Sequence, residues 1–312
     1  MSNALLEKAK TLDPVHPNKA TALFGGKSSG ILNWNDLAYP HWYKTYKRLL
    51  GNYWQSDEVN MSTDVKQFPL LSEKEQETFL KIISLLATLD SSQTRTILLA
   101  SLYATDPSVQ SILAVIAQQE AVHNESYSYI LSSVVSLDKQ NEAFEIGRKD
   151  PVLLKRNKKL MEQYNAFAQQ PDVEDIVKTL VYSTLLEGLF FYSGFAFFYN
   201  LARQNKMVGT STMISYINRD ELEHGRFISE LIRAVLSEHP ELNTPAFSDW
   251  VYARFRESVD LETEWSEYVL RGVEGIDLEE MAGFIKYRAN KMLRMIGLSE
   301  LYPEHVENPM KW

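Results

Sequence analysis

Glu120-Ala-Val-His123 and Glu221-Leu-Glu-His224 repeat one chemical unit, a carboxylate and an imidazole three residues apart, at an interval of 101 residues. On a helix of about 3.6 residues per turn, positions i and i+3 share a face, so the two groups can meet at one point. One such pair is a weak sign. Two pairs inside apolar periodic patterns call for two further acids from other helices, the ligand set that holds two metal ions inside a helical bundle. Two lone acids stand in apolar runs: Ile82-Ile-Ser-Leu-Leu-Ala-Thr-Leu89 leads into Asp90, and Leu185-Leu186 precedes Glu187. A carboxylate among such neighbours is costly to bury unless something pairs with it. The order acid, Glu-x-x-His, acid, Glu-x-x-His, with 30 residues from Asp90 to Glu120 and 34 from Glu187 to Glu221, reads as two helix pairs.

Charge supports this reading. Four ionised carboxylates with two neutral imidazoles are neutralised by two divalent cations, whereas without metal the acids would repel one another and take up protons. Oxygen-rich ligands with one imidazole per ion suit iron or manganese better than a thiolate-loving metal.

The elements that must position these groups are helices. Leu71-Ser72-Glu-Lys-Glu75 has the pattern of a helix start, with Ser72 as N-cap and Glu75 completing a capping box. The helix it opens carries Phe79, Ile82, Ile83, Leu86 and Asp90 on one face. A second, from about Pro107 to Ser136, carries Ile112, Val115, Ile116, Glu120, His123 and Tyr127. A third, from about Val173 to Gln204, brings in Glu187; Gly209 and small neighbours mark the turn before a fourth, from about Ser211 to Leu236, with Ile214, Ile217, Glu221, His224 and Phe227. Residues 138–175 read as a connection with a short helix, and 246–270 and 277–297 as two flanking amphipathic helices. Residues 1–30, with Pro14, Pro17, Gly25, Gly26 and Gly30, form an irregular lead-in, and 31–312 a single domain. No Val/Thr-rich alternating run predicts a sheet. The expected fold is all-α, a ferritin-like bundle with a four-helix two-metal core and additional flanking helices.

Composition excludes other classes. With 312 residues, 45% hydrophobic and 23% charged, the chain is long enough for a large core and has the balance of a soluble globular protein. A net charge of −9 argues against a nucleic-acid binder, which needs clustered Lys and Arg. Cysteine is absent, so disulfide and thiolate chemistry are too, in keeping with a reducing compartment. The N-terminus lacks the basic start and long apolar stretch of a signal peptide. The most apolar run, residues 185–201, is short for a membrane span and is interrupted by Glu187, Gly188, Ser193 and Gly194. A cytoplasmic protein with neither nucleic-acid nor membrane partners is expected.

Neighbours of the ligands add detail. Tyr127 follows His123 by four residues and Glu120 by seven, so at about 100° per residue it projects within roughly 20° of Glu120, a few ångströms from a metal. Phe191 and Phe195 follow Glu187 at i+4 and i+8, and Ile217 precedes Glu221 by four; they could enclose that phenol in a dry pocket, although ordinary core packing explains each equally well. Asp220, beside a ligand, can accept a hydrogen bond from the second nitrogen of a ligand imidazole if it is buried. Glu223 lies across the helix from Glu221 and is expected in solvent. His16, His41, His239 and His305 lack helical acid partners and are not expected to be ligands.

Asp90-Ser-Ser-Gln, Glu120-Ala-Val-His-Asn-Glu-Ser-Tyr127, Glu187-Gly-Leu-Phe-Phe-Tyr-Ser-Gly-Phe and Arg219-Asp-Glu-Leu-Glu-His224 together resemble, in order and spacing, the small radical-generating subunit of class I ribonucleotide reductase. The likeness runs over roughly residues 30–312. It implies a homodimer, each chain holding two metal ions as Fe/Fe, Mn/Mn or mixed Mn/Fe. The ligands implied are Asp90, Glu120, His123, Glu187, Glu221 and His224. It implies that the centre reacts with oxygen or superoxide, the latter delivered by a flavoprotein activator, and oxidises Tyr127 to a stable radical. The oxidising equivalent then passes to a cysteine of a separate large subunit, where deoxyribonucleotides are made. Trp54 stands at the family's electron-transfer tryptophan, and Asp220 at the acid linking that route to a metal-bound histidine. The family usually ends in a flexible tail with a further relay tyrosine and a docking sequence, whereas this sequence ends Asn308-Pro-Met-Lys-Trp312. As written, the chain is expected to assemble metal and to support little reductase turnover.

Two rival readings compete. A ferritin-like two-metal oxidase or monooxygenase acting on its own substrate generally has Glu where Asp90 stands and needs a substrate cavity beside the metals. An iron-handling ferroxidase of the storage type is about half this length.

Overall fold

The computed structural model describes residues 4–310. Met1–Asn3 and Lys311-Trp312, parts of the two chain ends considered above, lie outside the described residues. In chain order the α-helices are α1 (Trp42–Gly51), α2 (Ser62–Gln67), α3 (Glu73–Tyr103), α4 (Pro107–Val134), α5 (Leu137–Lys149), α6 (Pro151–Phe167), α7 (Val173–Leu185), α8 (Tyr192–Arg203), α9 (Val208–Glu238), α10 (Pro245–Leu270) and α11 (Leu278–Met295). Among the described residues the one β contact is an isolated antiparallel bridge between Phe24 and Ala104. The all-α expectation holds.

The starts of the site-bearing helices are written locally. Ser72 Oγ accepts from the Glu75 amide at 3.2 Å, and Glu75 Oε2 accepts from the Ser72 amide at 2.8 Å, closing the expected capping box of α3. Asp106 caps α4 through the amides of Ser108 and Val109, with Pro107 at the first helical position, where no amide donor is needed. Asp172 and Asp175 form the equivalent box for α7. The start of α9 departs from expectation. It begins at Val208 rather than near Ser211, because its cap comes from elsewhere: Asp64 of α2 accepts from the amides of Gly209 at 3.0 Å and Thr210 at 2.7 Å. A carboxylate there also meets the positive end of the helix dipole.

Two further corrections concern connections. Residues 138–175 hold two helices, α5 and α6, rather than one short one, each amphipathic enough to pack on the body. The expected single helix 173–204 is broken: Leu186–Phe190 forms a π-helical turn between α7 and α8. Residues 173–203 are long and apolar enough to cross a membrane, but their most apolar 18-residue window is wholly buried inside the protein.

Packing follows the apolar stripes. Phe79, Ile82, Ile83, Leu86 and Leu89 of α3 are fully buried, each contributing about 1.5–3 kcal/mol from the area removed from water. α3 lies along α4, and α7, the π turn and α8 lie along α9; α10 and α11 cover the π side, and α1 covers α4 and α9. The lead-in is tied down by backbone hydrogen bonds, Leu6 N to Pro171 O and Ala9 N to Leu102 O, both 2.8 Å.

Candidate metal centre

Four elements aim acids at one buried point: α3 brings Asp90, α4 brings Glu120 and His123, the π turn brings Glu187, and α9 brings Glu221 and His224. All six are 0–1% exposed. Their ligand atoms fall into two groups, each drawn together within 4.8 Å: Asp90, Glu120, His123 and Glu221, and Glu120, Glu187, Glu221 and His224. Glu120 and Glu221 belong to both, so each carboxylate can offer one oxygen to either side.

The imidazoles are oriented from behind. His123 Nε2 lies 3.2 Å from Asp220 Oδ2, and its Nδ1 faces Glu221 Oε1 at 3.1 Å. His224 Nε2 lies 3.0 Å from Gln119 Oε1, and its Nδ1 faces Glu221 Oε2 at 2.9 Å and Glu120 Oε1 at 3.1 Å. Asp220 and the Gln119 oxygen are acceptors, so each Nε2 donates outward and each Nδ1 faces the carboxylates, the arrangement that orients a ligating histidine. Gln119 is itself fixed by donating from Nε2 to Leu49 O of α1 at 3.1 Å.

Electrostatics show what the arrangement lacks by itself. Burial first, then repulsion from neighbouring carboxylates, raises the pKa values of Asp90, Glu120 and Glu221 well above the carboxylate range. Burial opposes ionisation of Glu187 too, but the neighbouring Glu221 and His224 and the hydrogen bond from Gln93 outweigh it and hold that acid low. Burial would also neutralise His224, yet Glu120, Glu187 and Glu221 surround it and raise its pKa well above 6.5. Both oxygens of Asp90 and of Glu120, His123 Nδ1, Glu187 Oε2 and Glu221 Oε1 are buried without a hydrogen-bond partner. Such orphaned acceptors are each expensive, and two divalent cations would satisfy them together. The donor set fits iron or manganese.

Most of the other predicted residues are buried as well. Tyr127 is fully buried with its hydroxyl lacking a well-formed partner; burial first, then the adjacent Asp90, pushes its pKa well above 10. Trp54 donates its indole N–H to Asp220 Oδ2 at 2.8 Å and lies nearly parallel to His123, ring centroids 6.1 Å apart. Phe191, Phe195 and Ile217 are buried, and the two phenyl rings stack at 5.6 Å. Glu223 is not in free solvent: it accepts from Arg48 Nε at 2.9 Å and pairs with Arg226. His16, His41, His239 and His305 lie outside both ligand groups.

Sequence reasoning missed the supports. Gln93 donates to Glu187 Oε1 at 2.6 Å, and its place three residues after Asp90, on the same helical face, was an available signal. The π turn had no plain signal beyond Gly188. A Cβ there would sit 1.9 Å from Met292 Sδ, so any side chain at this position would force that methionine of α11 to move. Two buried arginines take up carbonyls of the turn: Arg288 Nε donates to Gly188 O at 2.9 Å and Arg156 Nη2 to Phe190 O at 2.5 Å.

Comparison with known proteins agrees with this geometry. Residues 31–309 match the family "Ribonucleotide reductase, small chain". The chain belongs to that family. It is 46% identical to the ribonucleoside-diphosphate reductase subunit beta of Halalkalibacterium halodurans, over 98% of this chain and 89% of the relative. Its structure is similar to the ribonucleotide reductase R2 subunit from Clostridium botulinum, with a TM-score of 0.96 at 34% identity, covering 99% and 98% of the two chains. It is also similar to the dimanganese(II)-NrdF of Streptococcus sanguinis, with a TM-score of 0.80 at 25% identity, covering 89% and 97%. As a ribonucleotide reductase small chain, the protein has a reason to bury four carboxylates in one core. Neither rival reading accounts for the matches.

Proposed function

We infer that this chain is the small subunit of a ribonucleoside-diphosphate reductase, an oxidoreductase that works with a separate large subunit. Asp90, Glu120, His123, Glu187, Glu221 and His224 would hold two metal ions, iron or manganese, and Glu120 and Glu221 belong to both ligand groups. The observation that carries this reading is the pair of four-residue ligand groups with two carboxylates in common, lined by buried oxygens that have no other partner. When bound, the ions supply, with oxygen or superoxide, the power to remove one electron from a phenol.

The chain's own residues do the rest. Tyr127 gives up that electron, and Asp90 beside it is the carboxylate placed to receive the phenolic proton. Dry walls, to which Phe191, Phe195 and Ile217 contribute, keep water from the resulting radical. His123, Asp220 and Trp54 form a continuous hydrogen-bonded row leading away from the centre, the route by which the oxidising equivalent leaves for the large subunit. We further propose that two copies form a homodimer, that a flavoprotein supplies superoxide where manganese is used, and that the protein is cytoplasmic.

Electron paramagnetic resonance on protein loaded separately with iron and with manganese, beside Tyr127→Phe, tests the reading. A tyrosyl signal that requires metal and disappears in the variant supports it. An unchanged radical in Tyr127→Phe, or no radical under oxygen, superoxide or peroxide in fully loaded protein, overturns the role of Tyr127.

A further inference from the structure

Glu187 differs from the other acids of the centre in having one oxygen taken by a residue outside the ligand set. Gln93 Nε2 donates to its Oε1 at 2.6 Å, while Oε2 has no hydrogen bond and lies 3.6 Å from His224 Nδ1. Behind Gln93 stand two hydroxyls from two other helices. Tyr164 of α6 donates to Gln93 Oε1 at 2.6 Å, and Ser183 of α7 reaches the same oxygen at 3.3 Å; the two hydroxyls are 3.0 Å from each other. All three side chains are buried, Tyr164 at 6%, Ser183 at 1% and Gln93 at 0% exposure. Ser183 sits one helical turn before Glu187, on the helix that leads directly into the π turn.

The chemistry of this cluster has one consistent solution. A carboxylate oxygen only accepts, so the amide must turn its NH2 toward Glu187 and its oxygen toward the hydroxyls. Donation into that oxygen polarises the amide and strengthens the N–H facing Glu187. We propose that Tyr164 and Ser183 are positioning residues that lock the Gln93 amide, hold Glu187 Oε1 out of the centre, and leave Oε2 alone to bind metal on the His224 side. The inference rests on the reading of Glu187 as a ligand.

It predicts an asymmetry between the two ions. Glu187 belongs to the group with His224 and not to the group with Asp90 and His123, so loosening the clamp affects one binding event. Groups that hold a ligand in place change metal affinity by about 10- to 100-fold when removed. One shell further out, Tyr164→Phe and Ser183→Ala each fall at or below the low end, and the double variant reaches about tenfold.

The test is a calorimetric titration of Mn(II) into metal-free full-length protein, with the exchange-coupled signal of the ion pair followed by electron paramagnetic resonance. Glu187→Ala identifies the binding event that depends on Glu187. Weakening of that event alone in Tyr164→Phe/Ser183→Ala, with single-ion signal persisting to higher Mn(II), supports the proposal. Equal weakening of both events marks a merely structural role and overturns it, as does wild-type binding in the double variant. Two wild-type binding events in Glu187→Ala would instead remove the ligand reading itself, a distinguishable failure. Ser183→Ala, which takes away one oxygen at the edge of the cluster, carries the test if the tyrosine variant folds poorly.

Discussion

Trp54 and Asp220 are joined by a hydrogen bond of 2.8 Å, and the accepting oxygen is the one that faces His123 Nε2. One oxygen thus ties a buried indole to an imidazole of the candidate centre. Burial works against the charge on Asp220, but hydrogen bonds from His123 and Trp54 outweigh it and keep its pKa low. Asp220→Ala leaves two buried N–H groups without acceptors, at about 1–3 kcal/mol each. The expected result is a loss of about 2–6 kcal/mol in denaturant unfolding, with metal affinity lowered about 10- to 100-fold. Trp54→Phe keeps an aromatic ring and loses the donor, so it should bind metal normally and lose whatever turnover the parent shows with the matched large subunit. Full turnover of Trp54→Phe would exclude this route.

The Tyr127 hydroxyl is buried without a well-formed partner, and that decides the sign of its stability effect. Removing an unsatisfied buried group relieves a desolvation cost of about 1–3 kcal/mol. Tyr127→Phe is therefore expected to unfold at the same denaturant concentration as the parent or a higher one. A destabilisation above about 1 kcal/mol would mean that the hydroxyl has a partner after all.

How much of this was legible in the sequence depends on how local each feature is. The proposed ligands were legible because two of the four contributions are i, i+3 pairs and the other two are acids in apolar runs, so each announces itself within one turn of helix. The capping box at Ser72 and Glu75 was readable for the same reason. The Asp64 cap of α9 was not, since it spans 145 residues of sequence and appears only once α2 and α9 meet. The π turn at Leu186–Phe190 depends on carbonyl partners from α6 and α11, and propensity carries no trace of those. Tyr164 lay in a stretch read as a connection. Its neighbours Gln93 and Glu187 are 71 and 23 residues away, so nothing short-range pointed to it.

Metal removal has a predictable cost. Ions that bind the folded chain alone stabilise it by about 2.7 kcal/mol at a free concentration one hundred times Kd. Adding Mn(II) or Fe(II) to metal-free protein under anaerobic conditions should raise the thermal midpoint by several degrees, and a chelator should reverse it. Glu120→Gln/Glu221→Gln removes two acids from the shared positions. It should melt higher than the parent when both are metal-free, because like charges no longer need protons, and gain little from metal. Equal metal-induced shifts in parent and variant would count against the shared-carboxylate arrangement.

Glu75 supplies a pH dependence far from the centre. It accepts from the Ser72 amide and from Lys206 Nζ at 2.7 Å. Burial raises its pKa, but Lys206 and Ser72 together outweigh that and bring it below 4.5. The unfolded chain therefore binds this proton at a higher pH than the folded one. The stabilisation is fully present above about pH 4.5 and is lost as the pH falls through the lower folded value. Glu75→Gln should be less stable than the parent at pH 7, and the gap should narrow below pH 4.5. A gap that stays constant from pH 7 to 3 would rule out an ionised Glu75 as its source.

Arg156 and Glu262 are a buried ion pair whose partners are both shifted unfavourably. Burial lowers the guanidinium pKa despite Glu262, and raises the Glu262 pKa despite Arg156 and Ser193. Desolvation therefore outweighs the mutual attraction, and the pair is not a net source of stability compared with apolar side chains of similar volume. Breaking it is another matter: Glu262→Ala strands a buried cation, at about 3–5 kcal/mol. Arg156→Met/Glu262→Leu avoids that charge and should cost less than Glu262→Ala alone. It will not be silent, because Phe190 O loses its donor at the end of the π turn, at about 1–3 kcal/mol. Chemical denaturation of the parent, Arg156→Met, Glu262→Leu and the double variant measures this directly. A double variant as unstable as the sum of the singles would show that the two side chains act independently, contrary to their 2.5 Å contact.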